Sequence, residues 1–85
     1  MANLNYKRFY LKQVAVTVST GDTVGTSSAD PEIVNGEIVG FYPTANWDQL
    51  IDSIAITAAT GVITVTLAAG ATADNNFTVM VMKKK

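Results

Sequence analysis

Along residues 12–19 Val14, Val16 and Val18 alternate with Gln13, Ala15, Thr17 and Ser19. A period of two predicts a strand with one buried face, because successive side chains leave an extended backbone on opposite sides. The same period returns three times in the last third of the chain. Residues 53–57 carry Ile54 and Ile56 on one face, and residues 62–67 set Ile63, Val65 and Leu67 against Thr64 and Thr66. Residues 77–82 place Phe77, Val79 and Val81 on one side and Met80 and Met82 on the other, so both faces of that strand want cover. Ala58-Ala59-Thr60-Gly61 reads as the turn before the second of these strands, and Asp74-Asn75-Asn76 as a turn cluster before the last.

Between these strands the pattern is less regular. Residues 20–31 are rich in Gly, Ser, Thr and Asp and show no period, which predicts a long loop. Asn35-Gly36, flanked by Ile33-Val34 and Ile38-Val39, predicts a two-residue hairpin. In that pairing Glu32 faces Val39 and Val34 faces Glu37, which would put both carboxylates on one face of an open ribbon, too exposed for paired acid and base work. Pro43 cannot donate to a ladder and marks a strand end or a sheet edge. Asn46-Trp47-Asp48-Gln49 has the residues of a capped helical turn, with Asn46 as N-cap. Short strands joined by turns, with at most one helical turn, predict an all-β domain over residues 1–85: a small antiparallel β-sandwich or barrel, with residues 1–11 as an N-terminal arm.

Composition narrows the chemistry. The chain has 85 residues and neither Cys nor His, which argues against zinc, haem and iron–sulfur sites, thiol chemistry and His-activated nucleophiles. No cofactor or metal is expected, and no enzymatic activity. The glycines fall into no phosphate-binding spacing. Asp22 and the Asp74-Asn75-Asn76 cluster offer oxygen atoms without the alternating acids of a calcium loop. Residues 1–10 mix Asn, Tyr, Lys and Arg and predict no secretory leader, so the Asn76-Phe77-Thr78 sequon carries no weight. No run approaches the roughly 18 apolar residues of a membrane helix.

A domain of this size buries only about two-thirds of its surface and lacks disulfide or metal staples, and its charged fraction is 15% against an average of about 25%. Association with further copies or with a partner is the remaining source of burial. The net charge of −1 hides an asymmetry: Lys7, Arg8, Lys12, Lys83, Lys84 and Lys85 lie near the ends, and the seven acids fall between Asp22 and Asp74. Side by side, the terminal strands would form a basic patch; the same lysines also serve as solvated strand guards.

The candidate contact residues follow. Tyr6, Lys7, Arg8, Phe9 and Tyr10 interleave aromatic and basic side chains, as in an arm that docks on a neighbouring subunit. Phe77, Val79, Met80, Val81 and Met82 form either a central strand or an interface strand. Tyr42 and Trp47 could make a sugar-stacking platform, although a single Trp in a small domain also suits a core position.

The stretches GEIVGFYPTANWDQLIDSIAI and GVITVTLAAGATADNNFTVMVMK, within residues 36–83, resemble small virion proteins of tailed bacteriophages, especially capsid-decorating and head-fibre proteins. The resemblance lies in texture, covers about half the chain and transfers no functional residue. It implies a virion protein made in the host cytoplasm without a signal peptide. Such a protein assembles as a homo-oligomer such as a trimer, attaches to a major capsid protein, and cements capsomers or presents a binding surface. The rival expectation is a small carbohydrate- or protein-binding β module. Nucleic acid and membrane are not expected partners, since the body is acidic and uninterrupted apolar runs are short.

Overall fold

The computed structural model describes residues 9–84. Six strands follow in order: β1 (Phe9–Val18), β2 (Val24–Thr26), β3 (Glu37–Ala45), β4 (Ile51–Thr57), β5 (Val62–Leu67) and β6 (Asn75–Lys84). They form two sheets of three strands, β1-β6-β3 and β2-β5-β4, and every neighbouring pair is antiparallel. No ladder joins the sheets among the described residues, so the architecture is a sandwich.

The alternating pattern builds its core. Val16 and Val18 of β1 and Phe77, Val79 and Val81 of β6 close one side, and Ile63, Val65 and Leu67 of β5 close the other. Ile54 and Ile56 of the edge strand β4 are half-buried against them. The last strand, apolar on both faces, is central: β1 pairs along one edge of it and β3 along the other. Pro43 sits in β3 at the sheet margin, where its missing N–H costs no ladder bond.

The region between residues 20 and 50 departs from expectation. The long loop contains β2, three residues that pair with β5 and are too short to show a period. The Asn35-Gly36 hairpin does not form. Asp30 accepts a hydrogen bond from the Glu32 N–H, and Pro31, with its φ preset, opens a 3₁₀ turn over Pro31–Ile33 that drives Ile33 to the centre of the core. Asn35 takes a positive φ of 62°, but Gly36 does not, and β3 pairs with β6 instead. Glycine is required at position 36 for room: a Cβ there would lie 2.6 Å from a Val81 methyl. Glu32 and Glu37 therefore stand on separate elements, Glu32 on Lys12 and Glu37 opposite Met82.

The helical turn at residues 46–49 is also absent. Asn46 has φ 51°, and its side chain donates to the Asp74 carbonyl rather than capping its own segment. The Asp48 N–H donates to the Asn75 side chain, so bonds across the loops replace a local helix. Residues 9–11, counted in the arm from sequence, belong to β1 and pair with Lys84, Lys83 and Met82.

Candidate functional site

The register of the β1-β6-β3 sheet sorts its side chains onto two faces. Opposed antiparallel residues share a face, so Val14–Val79, Val16–Phe77 and Val81–Ile38 look into the core. The outer face carries Leu11, Gln13, Ala15 and Thr17 from β1, Met82, Met80, Thr78 and Asn76 from β6, and Glu37, Gly40 and Tyr42 from β3. A register shift between Ile38 and Gly40 leaves Val39 as the extra residue of a bulge. Val39 and Leu11 are about half exposed, at 51% and 57%.

Met80 occupies the middle of this face. Its terminal methyl lies 2.9 Å from where a Cβ on Gly40 would sit, so the glycine leaves room for the thioether against β3. Leu11 stands opposite Met82, and Tyr42 flanks the strip at 42% exposure. The result is an apolar strip with one carboxylate, Glu37, at its margin. The outer face of the other sheet is different in kind: Thr26, Ser53, Thr64 and Thr66 place hydroxyls there.

The interface strand expected from sequence is thus divided. Phe77, Val79 and Val81 are core residues, exposed 1% or less, whereas Met80 and Met82 face outward. Leu11 and Val39, which complete the strip, carried no signal of their own: one fell inside the arm, and the other joins the face only through a bulge. Tyr6, Lys7 and Arg8 lie outside the described residues, as do the side chains of Phe9 and Tyr10.

Tyr42 and Trp47 do not share a platform. Tyr42 pairs with Thr78 on the outer face, while Trp47 packs edge-on against Phe41 and Phe77, with ring centroids 6.1 and 6.5 Å apart. Both of those phenylalanines belong to the inner face of β3 and β6. Trp47 remains 51% exposed and forms an aromatic lid over Phe41 and Phe77.

The first and last strands do lie side by side, yet the basic patch is partly neutralised. Lys12 faces inward opposite Val81, and its ammonium meets Asp30 at 2.7 Å and Glu32 at 2.5 Å. Hydrogen bonds to Asp30 and then Glu32 hold Lys12 above its ordinary pKa, and the same lysine holds Asp30 below the usual carboxylate range.

At the opposite end, carboxylates tie loops together. Asp48 accepts from the Thr72 hydroxyl and N–H and from the Asn75 amide, and Asn75 is fully buried with its hydrogen bonds made. Asp74 accepts from the N–H and hydroxyl of Thr20. These bonds hold both acids below the ordinary value of 3.8, through the Thr72 and Asn75 donors for Asp48 and the Thr20 N–H and hydroxyl for Asp74. Both carboxylates thereby staple one loop to another. No group of His, Cys, Asp or Glu among the described residues is arranged to hold a metal ion, and no cleft opens among them.

A depressed carboxylate stabilises the fold above its unfolded pKa and loses that contribution as pH falls toward its folded one. The melting temperature should therefore hold from pH 7 to about pH 5, because the chain has no His to titrate there, and fall below about pH 4. Asp48→Asn should melt lower at neutral pH and show a shallower acid decline. The contribution from the raised Lys12 is complete below 10.5 and fades only in stronger alkali. Thermal scans across this range check the sign, and an unchanged acid decline in Asp48→Asn would remove Asp48 from the account.

No family model, curated protein or solved structure matches this chain. No helix among the described residues is long and apolar enough to cross a membrane.

Proposed function

We propose that this protein is a non-enzymatic structural domain that works by association. Copies meet through the outer face of the β1-β6-β3 sheet, and the homo-oligomer decorates or cements the capsid of a tailed phage through its major capsid protein. The observation that carries the associative reading is the apolar strip of Met80, Met82, Leu11, Val39 and Tyr42 on a sheet face with no cover among the described residues. Methionine and tyrosine are enriched where proteins meet, and an uncrosslinked small domain gains stability from such burial. The carboxylates Asp30, Asp48 and Asp74 are engaged in structural bonds, which supports a role without catalysis. The capsid as the setting rests on the resemblance of residues 36–83 to small virion proteins.

The test is mass in solution. At micromolar concentration the wild-type protein should sediment as a multiple of its 9.0 kDa chain. Met80→Lys should weaken association by roughly 2 kcal/mol, about thirtyfold, while the strand spectrum is retained because a lysine at this half-buried outer position can reach water. A wild-type protein of single-chain mass would overturn the associative reading. Sedimentation with phage capsid shells tests the setting, and absence of the protein from the pellet would overturn that part alone.

A further inference from the structure

The sheet edges of this sandwich are guarded, with one exception. β3 contains Pro43 and is broken by register shifts at Ile38/Gly40 and Pro43/Ala45. β1 carries Lys12 with its two acidic partners, and part of its length lies along β2, where a Cβ on Gly25 would sit 2.2 Å from the Thr17 carbonyl. β2 is three residues long. Bulges, prolines, charges and short length are the devices that keep sheet edges from pairing with strangers. β4 lacks them beyond its first residues: after the irregularity between Ile51 and Ser53, residues 53–57 contain no charge, proline or glycine and run in regular register with β5. No described strand pairs with the other side of β4.

The backbone of that edge is poised for a ladder. The Gly61 N–H donates to the Thr57 carbonyl at 2.8 Å and closes the β4–β5 hairpin, which turns the Thr57 backbone toward β5. Alternation along an antiparallel strand then turns Ala55 the same way and sends the N–H and C=O groups of Ile54 and Ile56 to the open edge. The side chains repeat about a centre: Ser53-Ile54-Ala55-Ile56-Thr57 reads nearly alike in both directions. A two-fold interface requires that residue i meet j and j meet i, and such a pattern satisfies it.

We infer that a second copy of this chain pairs antiparallel with β4 across a two-fold axis at Ala55, joining the two β2-β5-β4 sheets into one continuous sheet. Ile54 exchanges both backbone bonds with Ile56 of the second copy, and Ile56 with its Ile54. The half-buried Ile54 and Ile56 side chains gain isoleucine neighbours above the core. Ser53 and Thr57 meet on the hydroxyl-bearing outer face, a pairing that favours hydrogen bonds. With no charge along residues 53–57, the paired segment carries nothing to repel its own copy and nothing to attract a charged peptide. This interface does not depend on the outer-face association proposed above, because it uses the other sheet.

Ala55 sits on the axis as a pair not bonded through its backbone, where opposed Cα atoms stand about 4.5 Å apart, inside the range a disulfide spans. The chain has no Cys of its own, so Ala55→Cys reads the register directly. Under mild oxidation at micromolar concentration, most Ala55→Cys chains should migrate as crosslinked dimers with the wild-type strand spectrum. Thr64→Cys, on the same outer face but in the middle of the sheet, should not crosslink. Ala55→Lys should weaken this pairing about tenfold or more, since like charges would stand opposed at the axis. Ala55→Cys should still crosslink in a Met80→Lys background. An oligomeric protein whose Ala55→Cys variant stays uncrosslinked overturns edge pairing alone. Crosslinking in a protein whose mass is insensitive to Met80→Lys overturns the outer-face association alone.

Discussion

Phe77→Ala should lower the melting temperature by roughly 15–30 °C, which follows from a loss of about 3–5 kcal/mol in a domain of this length. Phe77 is 1% exposed and lies between Val16 and Pro43 on the core face of the central strand. Its ring is met edge-on by Phe41 at 6.4 Å and Trp47 at 6.5 Å, so truncation empties the space beneath the aromatic lid as well as the core. A domain of 85 residues has about 4–13 kcal/mol of stability in total, so the loss removes a large share of it. Trp47 emission should shift to the red as its apolar neighbours disperse. Phe77→Leu keeps most of the volume and should cost far less. Melting of Phe77→Ala within a few degrees of wild type would show that the aromatic cluster is peripheral to the fold.

Gly61→Ala should be nearly as damaging although it adds a single methyl group. Gly61 has φ 74°, a region that costs other residues about 1–2 kcal/mol. Its Cβ would also lie 2.2 Å from the Asp30 carbonyl oxygen and 3.0 Å from Ile33. The backbone of Asp30 would have to retreat, and Asp30 both pairs with Lys12 and caps the turn that seats Ile33 in the core. A loss of about 3 kcal/mol or more is expected in urea unfolding. Gly21→Ala provides the comparison, because Gly21 has φ 86° but open space around the missing Cβ, so only the backbone term applies. Equal midpoints for the two variants would mean that contact with Asp30 contributes nothing.

Most of the strands could be read from period alone. Val14-Val16-Val18, Ile63-Val65-Leu67 and Phe77-Val79-Val81 each alternate with small, polar or outward-facing residues, and each trio proved to face the core. The requirement is local: a strand with one buried face must alternate, and the fully covered β6 shows it by being apolar on both sides. Pro43 likewise announced a margin, since a residue without an N–H cannot sit between two ladders.

What the sequence determined by itself is therefore the class: an all-β domain, short strands joined by turns, no Cys or His chemistry, and a last strand that needs cover on both faces. Only the tertiary structure decided the pairings. Asn35-Gly36 carried a strong hairpin signal, but burial of Ile33 in the core and the Asp30 cap on Pro31–Ile33 outweighed it, and β3 went to β6 across a long stretch of chain. Asn46-Trp47-Asp48-Gln49 had the residues of a capped helical turn, yet fully buried Asn75 needed partners, and that need drew Asp48 across to it. The outer strip depended on the same step. Leu11, Val39 and Met80 are distant in sequence and meet only because β6 lies between β1 and a bulged β3, a contact whose worth no local window can register.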